Sequence, residues 1–274
     1  MWNNDSILEL VLKAGQKALE YFNNIQLNLK EDGSIVTKAD IEIEAIIREE
    51  LEDIQNNIYV LGEEDAAKMD QKDLDHALEK ECYVVDPIDG TANYANGFEM
   101  WAIGIGYLQK GVFKKGCIYL PLLRKIYLFD GESTLRYEVI EGYSLGASSP
   151  MKRPQLKSLE GVIAVSQVML ESSNMHFKHP VHAISCAMYV ISKLLEGSYK
   201  AYFGSLKVWD IAPAIPMLKQ LGFDYHLING QTVYEHMNNE WLYLEKDHPK
   251  RFSIRDTILI CKPEDREVLL SSFS

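Results

Sequence analysis

The sequence predicts a mixed fold of the α+β or α/β class, and three patterns carry that prediction. Apolar residues recur at helical spacing in the first part of the chain, which indicates amphipathic helices. Short apolar runs separated by turn residues follow, and closely spaced runs of this kind favour an antiparallel sheet. In the last part of the chain, strand-like and helical segments alternate, which is typical of βα units.

Two helices are predicted near the N-terminus. Residues 5–27 place apolar side chains every three or four positions, and Ala39–Ile54 does the same. Thr37 is the expected N-cap of the second helix, with Asp40 in its first turn. The acidic residues of this helix, including Glu44, are interpreted as a solvated face.

Strands dominate the middle of the chain. Ile58–Leu61 and Cys82–Val85 are rich in β-branched and aromatic residues, and each run leads directly into acidic residues. The second run should end at Pro87, because proline cannot donate a hydrogen bond to a strand ladder. A three-stranded meander is then expected at 102–109, 112–120 and 125–130.

The second half should alternate strands with helices. Its polar, serine-rich start at Tyr143–Pro154 suggests a boundary, so the chain is divided into halves 1–142 and 143–274 that form one compact unit. Pro216 predicts a kink in the second of the helices. The expected strands are 161–166, 199–203, 223–228 and 257–261, and the expected helices are 183–197 and 210–221.

Composition limits the class of protein. Of 274 residues, 47% are hydrophobic and 25% charged, as in ordinary globular proteins, and the net charge of −12 argues against nucleic acid as a partner. No apolar run is long enough to span a membrane, and Met1–Asp5 does not resemble a signal peptide. The four cysteines are scattered in apolar surroundings, which predicts reduced thiols and a cytoplasmic location.

The most informative motif follows the strand at Cys82–Val85. Asp86 and Asp89 flank Pro87 and Ile88, and Gly90 permits a tight turn at which a ligand can approach the backbone. Two neighbouring carboxylates repel each other unless a cation lies between them. Hard oxygen ligands on a stiff turn suit Mg²⁺, although Asp and Pro are also common turn residues without any ligand.

Three more carboxylates lie at the ends of predicted elements. Glu63 follows a strand, Asp40 opens a helix, and Asp210 follows Trp209 at the start of another helix. An aspartate at a helix N-terminus is commonly a cap, and one oxygen can cap while the other binds a metal. If these ends meet at one rim of a sheet, they form a site for metal-dependent phosphoryl transfer.

Together, Gly62-Glu63-Glu64, the run Asp86–Thr91 and Trp209-Asp210 resemble the inositol monophosphatase family of magnesium-dependent, lithium-sensitive phosphatases. The resemblance extends over nearly the whole chain. It implies a layered αβαβα sandwich of the sugar-phosphatase type, bound magnesium, a small phosphorylated substrate and a homodimer. The metal ligands that it implies are Glu63, Asp86, the carbonyl of Ile88, Asp89 and Asp210.

The same resemblance implies catalytic roles. Thr91 would orient the attacking water with a relay to Asp40, and Glu63 would take part in activating that water. Lys30 would lie in a mobile loop that closes over a further metal. Backbone N–H groups of Gly90 and Thr91 would bind the phosphate.

Substrate choice is less defined. Inositol-specific members carry an acidic residue seven positions before the second-half aspartate, where this chain has Phe203, and their Gly-Ser/Thr-Ala stretch aligns with Ile184-Ser185-Cys186. Inositol 1-phosphate is the default substrate. Fructose 1,6-bisphosphate, 3′-phosphoadenosine 5′-phosphate and NADP remain alternatives, as does a non-catalytic regulatory or binding protein with this fold. The expected substrate-binding residues are Asp89, Gly90, Thr91, Ser185, Phe203 and Asp210.

Overall fold

The computed structural model of the chain describes residues 2–22, 27–29, 35–158, 161–172 and 177–271. Within these residues the chain forms helices and three sheets, of two, five and seven strands. The smallest sheet pairs β1 (Leu27–Leu29) with β2 (Ile35–Thr37) in antiparallel fashion. The other two sheets form the body of the molecule.

The seven-stranded sheet follows the chain order from β3 to β9. The first pair is parallel and the others are antiparallel, so the predicted meander is confirmed. Two further strands extend it beyond the predicted three. The strands are β3 (Ile58–Gly62), β4 (Glu81–Asp89), β5 (Ala102–Gln109), β6 (Val112–Leu120), β7 (Lys125–Phe129), β8 (Thr134–Ile140) and β9 (Ser144–Pro150).

The expectation that the second strand ends at Pro87 is wrong. Strand β4 continues to Asp89, but its register against β5 shifts: Asp86 faces Gly104 whereas Asp89 faces Ala102. Three steps along β4 therefore match two along β5, which is a β-bulge. A bulge accommodates the missing N–H of proline without ending the strand.

Helices α1 (Asn4–Phe22) and α2 (Lys38–Leu51) cover one face of this sheet, with Val11 and Ile43 packed among sheet residues such as Ile105. The predicted helix end at residue 27 is wrong, because Leu27 belongs to strand β1; residues 23–26 lie outside the described residues. The Thr37 cap is confirmed, since its side chain accepts the N–H of Asp40 and the Asp40 side chain accepts the N–H of Thr37. This capping box fixes the start of α2.

The five-stranded sheet has the strand order β11-β10-β12-β14-β13. Strand β10 is parallel to both of its neighbours, whereas β14 is antiparallel to both of its own. Four of the strands correspond to predicted ones, and β11 was not predicted. They are β10 (Ile163–Val165), β11 (Val181–Ala183), β12 (Ala201–Gly204), β13 (Asp224–Leu227) and β14 (Ile258–Cys261).

Helices also lie between the two sheets and outside the second one. Apolar residues of the middle helices pack in one core with Val84 of the large sheet and Ile260 of the small one. Residues Met169 and Leu269 cover the outer face of the small sheet. The layers are therefore αβαβα, as expected. The remaining helices are α3 (Gln71–Glu79), α4 (Thr91–Ala95), α5 (Gln167–Ser172), α6 (Ala187–Leu195), α7 (Val208–Ile211), α8 (Ile215–Gln220) and α9 (Arg266–Leu270).

The helix predicted over 210–221 is split into α7 and α8. The break lies at residues 212–214 and contains Pro213, and Pro216, at which a kink was predicted, lies in the first turn of α8. Because both prolines lack the N–H that a continuous helix needs, the chain restarts the helix here.

The polar segment Tyr143–Pro154 contains strand β9, so the large sheet extends to Pro150. The division into 1–142 and 143–274 stays a prediction. Within the described residues, no helix combines the length and apolar character that crossing a membrane requires. All four cysteines are free and buried, as predicted.

Candidate metal centre

Three carboxylates meet where the large sheet faces the middle helices. Asp86 and Asp89 stand on the bulged end of β4, and Asp210 stands on α7. One oxygen from each lies within 4.8 Å of the others. The bulge and the short helix therefore bring together residues separated by more than 120 positions in the chain.

Asp86 has the least compensated charge of the three. Its side chain is 1% exposed, and its Oδ1 is buried without a hydrogen-bond partner among the described residues. Burial raises the pKa of this carboxyl well above its usual value, and the charges of Glu63, Asp89 and Asp210 raise it further. An ionised carboxylate here needs a cation, and an all-oxygen donor set fits Mg²⁺.

Asp89 is held by the start of helix α6. Its carboxylate accepts hydrogen bonds from the Ala187 N–H (3.2 Å), the Met188 N–H (2.5 Å) and the Cys186 thiol (3.2 Å). Burial raises the pKa of Asp89 to about 6, although these donors favour the charged form. Asp89 is thus oriented by three donors.

Cys186 was considered only as part of the stretch aligned with the substrate site of relatives, and its contact with Asp89 was not predicted. Its sulfur also accepts the N–H of Tyr189 at 3.3 Å, so it caps α6 while it contacts Asp89. The motif gave no signal for this, because a cysteine in an apolar stretch is usually a packing residue. Burial raises the pKa of the thiol well above its usual value, so the side chain stays protonated and can donate.

Asp210 has the capping role considered for it, and its carboxylate lies beside the other two aspartates. One carboxylate oxygen accepts the Lys207 N–H at 2.8 Å, which closes the first turn of α7. Burial, followed by the charges of Asp89 and Glu63, raises the pKa of Asp210 well above its usual value. The capping bond leaves the carboxylate within reach of the other two aspartates.

Glu63 lines the same pocket but is outside the group of three. Its N–H donates to the Val85 carbonyl (3.1 Å), which continues the parallel pairing of β3 and β4 beyond Gly62. The Lys207 ammonium lies 3.9 Å from its carboxylate. Glu63 therefore stands beside the three aspartates and faces Lys207, the N-cap residue of α7.

Glu44 overturns the interpretation of its helix face as solvated. This side chain is 2% exposed and accepts the N–H groups of Glu64 (2.8 Å) and Asp65 (3.2 Å). Gly62 is required beside it, because a Cβ there would lie 2.2 Å from the Glu44 carboxyl carbon. Glu44 thus fixes the turn that carries Glu63, a role that the sequence pattern did not reveal.

Thr91 links the motif to helix α2. Its hydroxyl lies 3.2 Å from Asp40 Oδ1 and 3.0 Å from the Ile88 carbonyl oxygen, so it can donate to either. Burial raises the pKa of Asp40 to about 6 against the hydrogen bonds from Thr37, with Glu63 adding to the rise. Thr91 and Asp40 are therefore hydrogen-bonded to each other beside the Ile88 carbonyl, and the Asp40 carboxyl can titrate near neutral pH.

The pocket over the carboxylates has a volume of about 580 Å³. Gly90 is needed at its base, since its φ is +86° and a Cβ would lie 2.9 Å from the Ser185 carbonyl oxygen. Besides Glu63 and the motif, the pocket is lined by Val168, Ser205, Leu206, Lys207, Trp209, Asp210, Lys250, Ser253, Ile254, Arg255, Asp256 and Thr257.

Two expected substrate residues are placed differently. Phe203 is fully buried in a cluster on the outer face of the small sheet and does not line the pocket. Ser185 does not line it either, but its carbonyl accepts from Asn93 (3.3 Å), and its hydroxyl is 3.3 Å from Gln167. Lys30 lies outside the described residues.

The comparisons with known proteins agree with this architecture. The model of the inositol monophosphatase family matches residues 5–260. An inositol-1-monophosphatase of Mesorhizobium japonicum is 32% identical over 244 residues, which cover 84% of this chain and 87% of that protein. The Nus factor SuhB of Vibrio cholerae is 24% identical, over 85% of this chain and 89% of its own.

A solved structure supports the fold. An IMPase/NADP phosphatase complexed with Mg²⁺ and phosphate superposes with a TM-score of 0.72 at 16% identity, covering 98% of this chain and 94% of that one. At this identity the likeness concerns the fold. With the family match over nearly the whole length, the conclusion is direct: this chain belongs to the inositol monophosphatase family.

Proposed function

We propose that the protein is a magnesium-dependent hydrolase of phosphate monoesters. The observation that carries the proposal is the buried group of Asp86, Asp89 and Asp210, with the unpartnered Oδ1 of Asp86, at the base of an open pocket. Members of the family are phosphatases, which supports this class of reaction. A buried cluster of this kind is costly without a cation and suits a divalent metal.

The proposed metal ligands are those that the family resemblance implied. Asp86, Asp89 and Asp210 would hold one Mg²⁺, while Glu63 and the Ile88 carbonyl would contribute to a second position in the same pocket. When bound, Mg²⁺ lowers the pKa of water and neutralises charge on phosphate oxygens. Hydrolysis by direct attack of water requires no covalent enzyme intermediate.

The protein itself would position the water and accept its proton. Thr91 lies between Asp40 and the Ile88 carbonyl, so its hydroxyl can accept from the water while it donates to Asp40. Asp40 has a pKa of about 6 and is ionised at neutral pH, so it can accept the proton of the water through Thr91. Backbone N–H groups at Gly90 and Thr91 would bind phosphate oxygens at the start of α4.

The specific substrate is part of the proposal. Inositol 1-phosphate remains the default, because a relative with that activity in its name shares 32% identity with this chain. Phe203, which was expected to bind substrate where inositol-specific members carry an acidic residue, is buried and does not line the pocket, so it does not argue against inositol 1-phosphate. Fructose 1,6-bisphosphate, 3′-phosphoadenosine 5′-phosphate and NADP stay as competitors.

A regulatory protein with the same fold is the second candidate, and similarity to a Nus factor is the observation that favours it. The filled ligand positions argue for catalysis instead. We also propose a homodimer, and a cytoplasmic location on the basis of four free, buried thiols.

The test is phosphate release from a panel of sugar phosphates and nucleotides in Mg²⁺ and in EDTA. Activity should require Mg²⁺, and Asp89→Asn should reduce kcat by orders of magnitude because one charge of the cluster is lost while the shape is kept. Glu132→Gln, at an exposed residue outside the pocket, is the matched control. Near-normal activity of Asp89→Asn at saturating Mg²⁺, or no hydrolysis of any ester, would refute the proposal.

A further inference from the structure

A second cavity of about 370 Å³ adjoins the metal pocket. The two cavities share Glu63, Lys207, Trp209, Lys250 and Ser253, so a ligand can extend from one into the other. We call the second cavity the basic annex. Its cationic lining residues are Lys207, Lys246, Lys250 and Arg251, accompanied by His248.

The annex has the opposite charge to the metal pocket. Its acidic lining residues are Glu63 and Glu64, which are outnumbered by the four cations. The chain as a whole has a net charge of −12, so a cluster of cations next to a carboxylate site is not a product of overall composition. Such a pairing of charges suits a ligand that reaches past the metal with a second anionic group.

Backbone pairing holds the annex beside the carboxylates. The Val208 N–H donates to the Phe252 carbonyl (2.8 Å), and the Ile254 N–H donates to the Leu206 carbonyl (2.8 Å). Lys207 is therefore opposite Ser253. Since Lys207 also starts the helix that carries Asp210, the basic segment and the metal ligand share one rigid support.

Side chains reinforce this segment. Phe252 is 2% exposed and packs against Trp209 with ring centroids 5.7 Å apart. Arg251 donates to the Met69 carbonyl at 2.7 Å, its guanidinium lies over the Phe252 ring, and Lys246 pairs with Asp70. The segment that lines the annex is therefore held in place by side-chain contacts and is not an isolated surface loop.

Lys250 is the cation most available to a ligand. It lines both cavities and makes no ion pair with any residue in the described part of the chain. Lys207 is also at the junction, 5.2 Å above the Trp209 ring and 3.9 Å from Glu63. The two ammonium groups therefore stand between the metal pocket and the annex.

We propose that the annex binds a second phosphate group of the substrate, and that Lys250 is its principal ligand. Among the candidate substrates of the proposed function, this favours a small bisphosphorylated molecule over the default inositol 1-phosphate, with one ester phosphate hydrolysed at the carboxylate cluster. This rests on the proposed function. A polyol with one phosphate would leave Lys250 without an anionic partner and Lys207 with only the Glu63 carboxylate at 3.9 Å, whereas a second phosphate accepts hydrogen bonds from both lysines.

Matched pairs of compounds isolate the second phosphate. We would compare fructose 1-phosphate with fructose 1,6-bisphosphate, and adenosine 3′-phosphate with adenosine 3′,5′-bisphosphate, by kcat/KM in Mg²⁺. Binding of the same pairs is measured by calorimetry with Ca²⁺ in place of Mg²⁺, which supplies a readout independent of turnover. In at least one pair the bisphosphate should be favoured by about tenfold or more, and the preference should weaken as salt is added.

The variants are Lys250→Ala and Lys250→Arg, with Lys114→Ala as an exposed control outside both cavities. Lys250→Ala should remove most of the preference for the bisphosphate in both turnover and binding. Lys250→Arg should keep part of it, and Lys114→Ala should keep all of it.

The two failures are distinguishable. If monophosphates are hydrolysed with Mg²⁺ as well as their bisphosphate partners, or if Lys250→Ala leaves the preference intact, the annex assignment is wrong and the proposed function stands. If no ester is hydrolysed and neither member of any pair binds, both are wrong.

Discussion

The thiol of Cys186 donates a hydrogen bond to Asp89 over 3.2 Å, at the junction of the large sheet with helix α6. The same carboxylate accepts the N–H groups of Ala187 and Met188, so it serves the helix as an N-terminal anion. The proposed metal ligand is therefore also a link between strand β4 and helix α6. Its orientation depends on how α6 packs against the large sheet.

This link predicts a graded response at Cys186. Cys186→Ser keeps a donor for Asp89 and should leave the Mg²⁺ requirement close to that of the wild type. Cys186→Ala removes one of three donors and should raise the Mg²⁺ concentration for half-maximal activity by a few-fold. That is below the roughly 10–100-fold typical of losing a supporting partner outright, because two backbone donors remain.

The measurement is a Mg²⁺ titration of activity for both variants at several pH values. Loss of the thiol should also raise the pKa of Asp89, so the alanine variant should need a higher pH for the same Mg²⁺ affinity. Identical Mg²⁺ titrations for Cys186→Ala and the wild type would show that the thiol only packs.

The elevated carboxyl pKa values predict how pH acts on stability. Asp40 and Asp89 have pKa values of about 6, above those of unfolded chains. The folded, metal-free protein therefore binds more protons than the unfolded one between about pH 4 and 6, and the stability from these groups is lost as pH rises through about 6.

Magnesium should reverse this trend, because it binds the deprotonated carboxylates. The increase in Tm that Mg²⁺ produces over EDTA should be small near about pH 5 and grow toward about pH 8. Thermal melts in both solutions across this range check the prediction. A Mg²⁺-induced shift in Tm that is independent of pH would contradict it.

Other cations should compete with Mg²⁺. Ca²⁺ prefers longer and more numerous oxygen contacts, so at fixed Mg²⁺ it should lower the rate. Inhibition by Li⁺ is expected from the family resemblance. The measurement is a rate titration with each cation, with Na⁺ or K⁺ as the ionic-strength control. A rate unaffected by Li⁺ in a protein that EDTA inactivates would refute the lithium expectation.

Glu44 and Gly62 should be sensitive although neither reaches the pocket. Glu44→Ala would leave the N–H groups of Glu64 and Asp65 without their acceptor, each at a cost of about 1–3 kcal/mol when buried. Gly62→Ala forces the Glu44 carboxyl aside and should cost roughly 1–3 kcal/mol.

Because this turn carries Glu63, both variants should also weaken Mg²⁺ affinity. Thermal melts combined with Mg²⁺ titrations test both effects, and Glu49→Ala on the exposed side of α2 is the control. If Glu44→Ala lowers Tm but leaves Mg²⁺ affinity unchanged, Glu44 stabilises the fold without positioning Glu63.

Local sequence patterns predicted the elements that depend on local chemistry. Thr37 caps α2, the meander forms, and the layers follow from apolar spacing and from the family resemblance. The structure differs where partners are distant in sequence. The spacing of apolar residues in α2 places Glu44 on the predicted solvent-facing side of the helix. It is a buried hydrogen-bond acceptor only because the turn after β3, some twenty positions away, packs against it.

The bulge at Pro87 also depends on a partner that is distant in sequence. Proline alone signals the end of a ladder, but β5 continues to pair on the far side of it at Ala102. Phe203 also depends on tertiary context, because alignment with inositol-specific relatives counts positions and cannot report which face of a strand a side chain occupies. The neighbouring strands of the small sheet determine which face of β12 the Phe203 side chain occupies.

Phe203 provides the last prediction. It is fully buried, faces Val165 and Leu259 across the strand pairs, and lies 5.2 Å from the Phe177 ring between centroids. Phe203→Glu would bury an unpaired charge in this cluster and should strongly lower Tm. Phe203→Leu keeps the apolar contact and should cost less than about 1.5 kcal/mol.

Neither substitution should improve kcat/KM for inositol 1-phosphate relative to other esters, because the side chain does not line the pocket. Melting temperatures and the kcat/KM ratio for inositol 1-phosphate against the best substrate of the panel measure both effects. The leucine variant keeps the experiment informative if the glutamate variant does not fold. A stable Phe203→Glu protein with a raised ratio for inositol 1-phosphate would show that this position reaches the substrate after all.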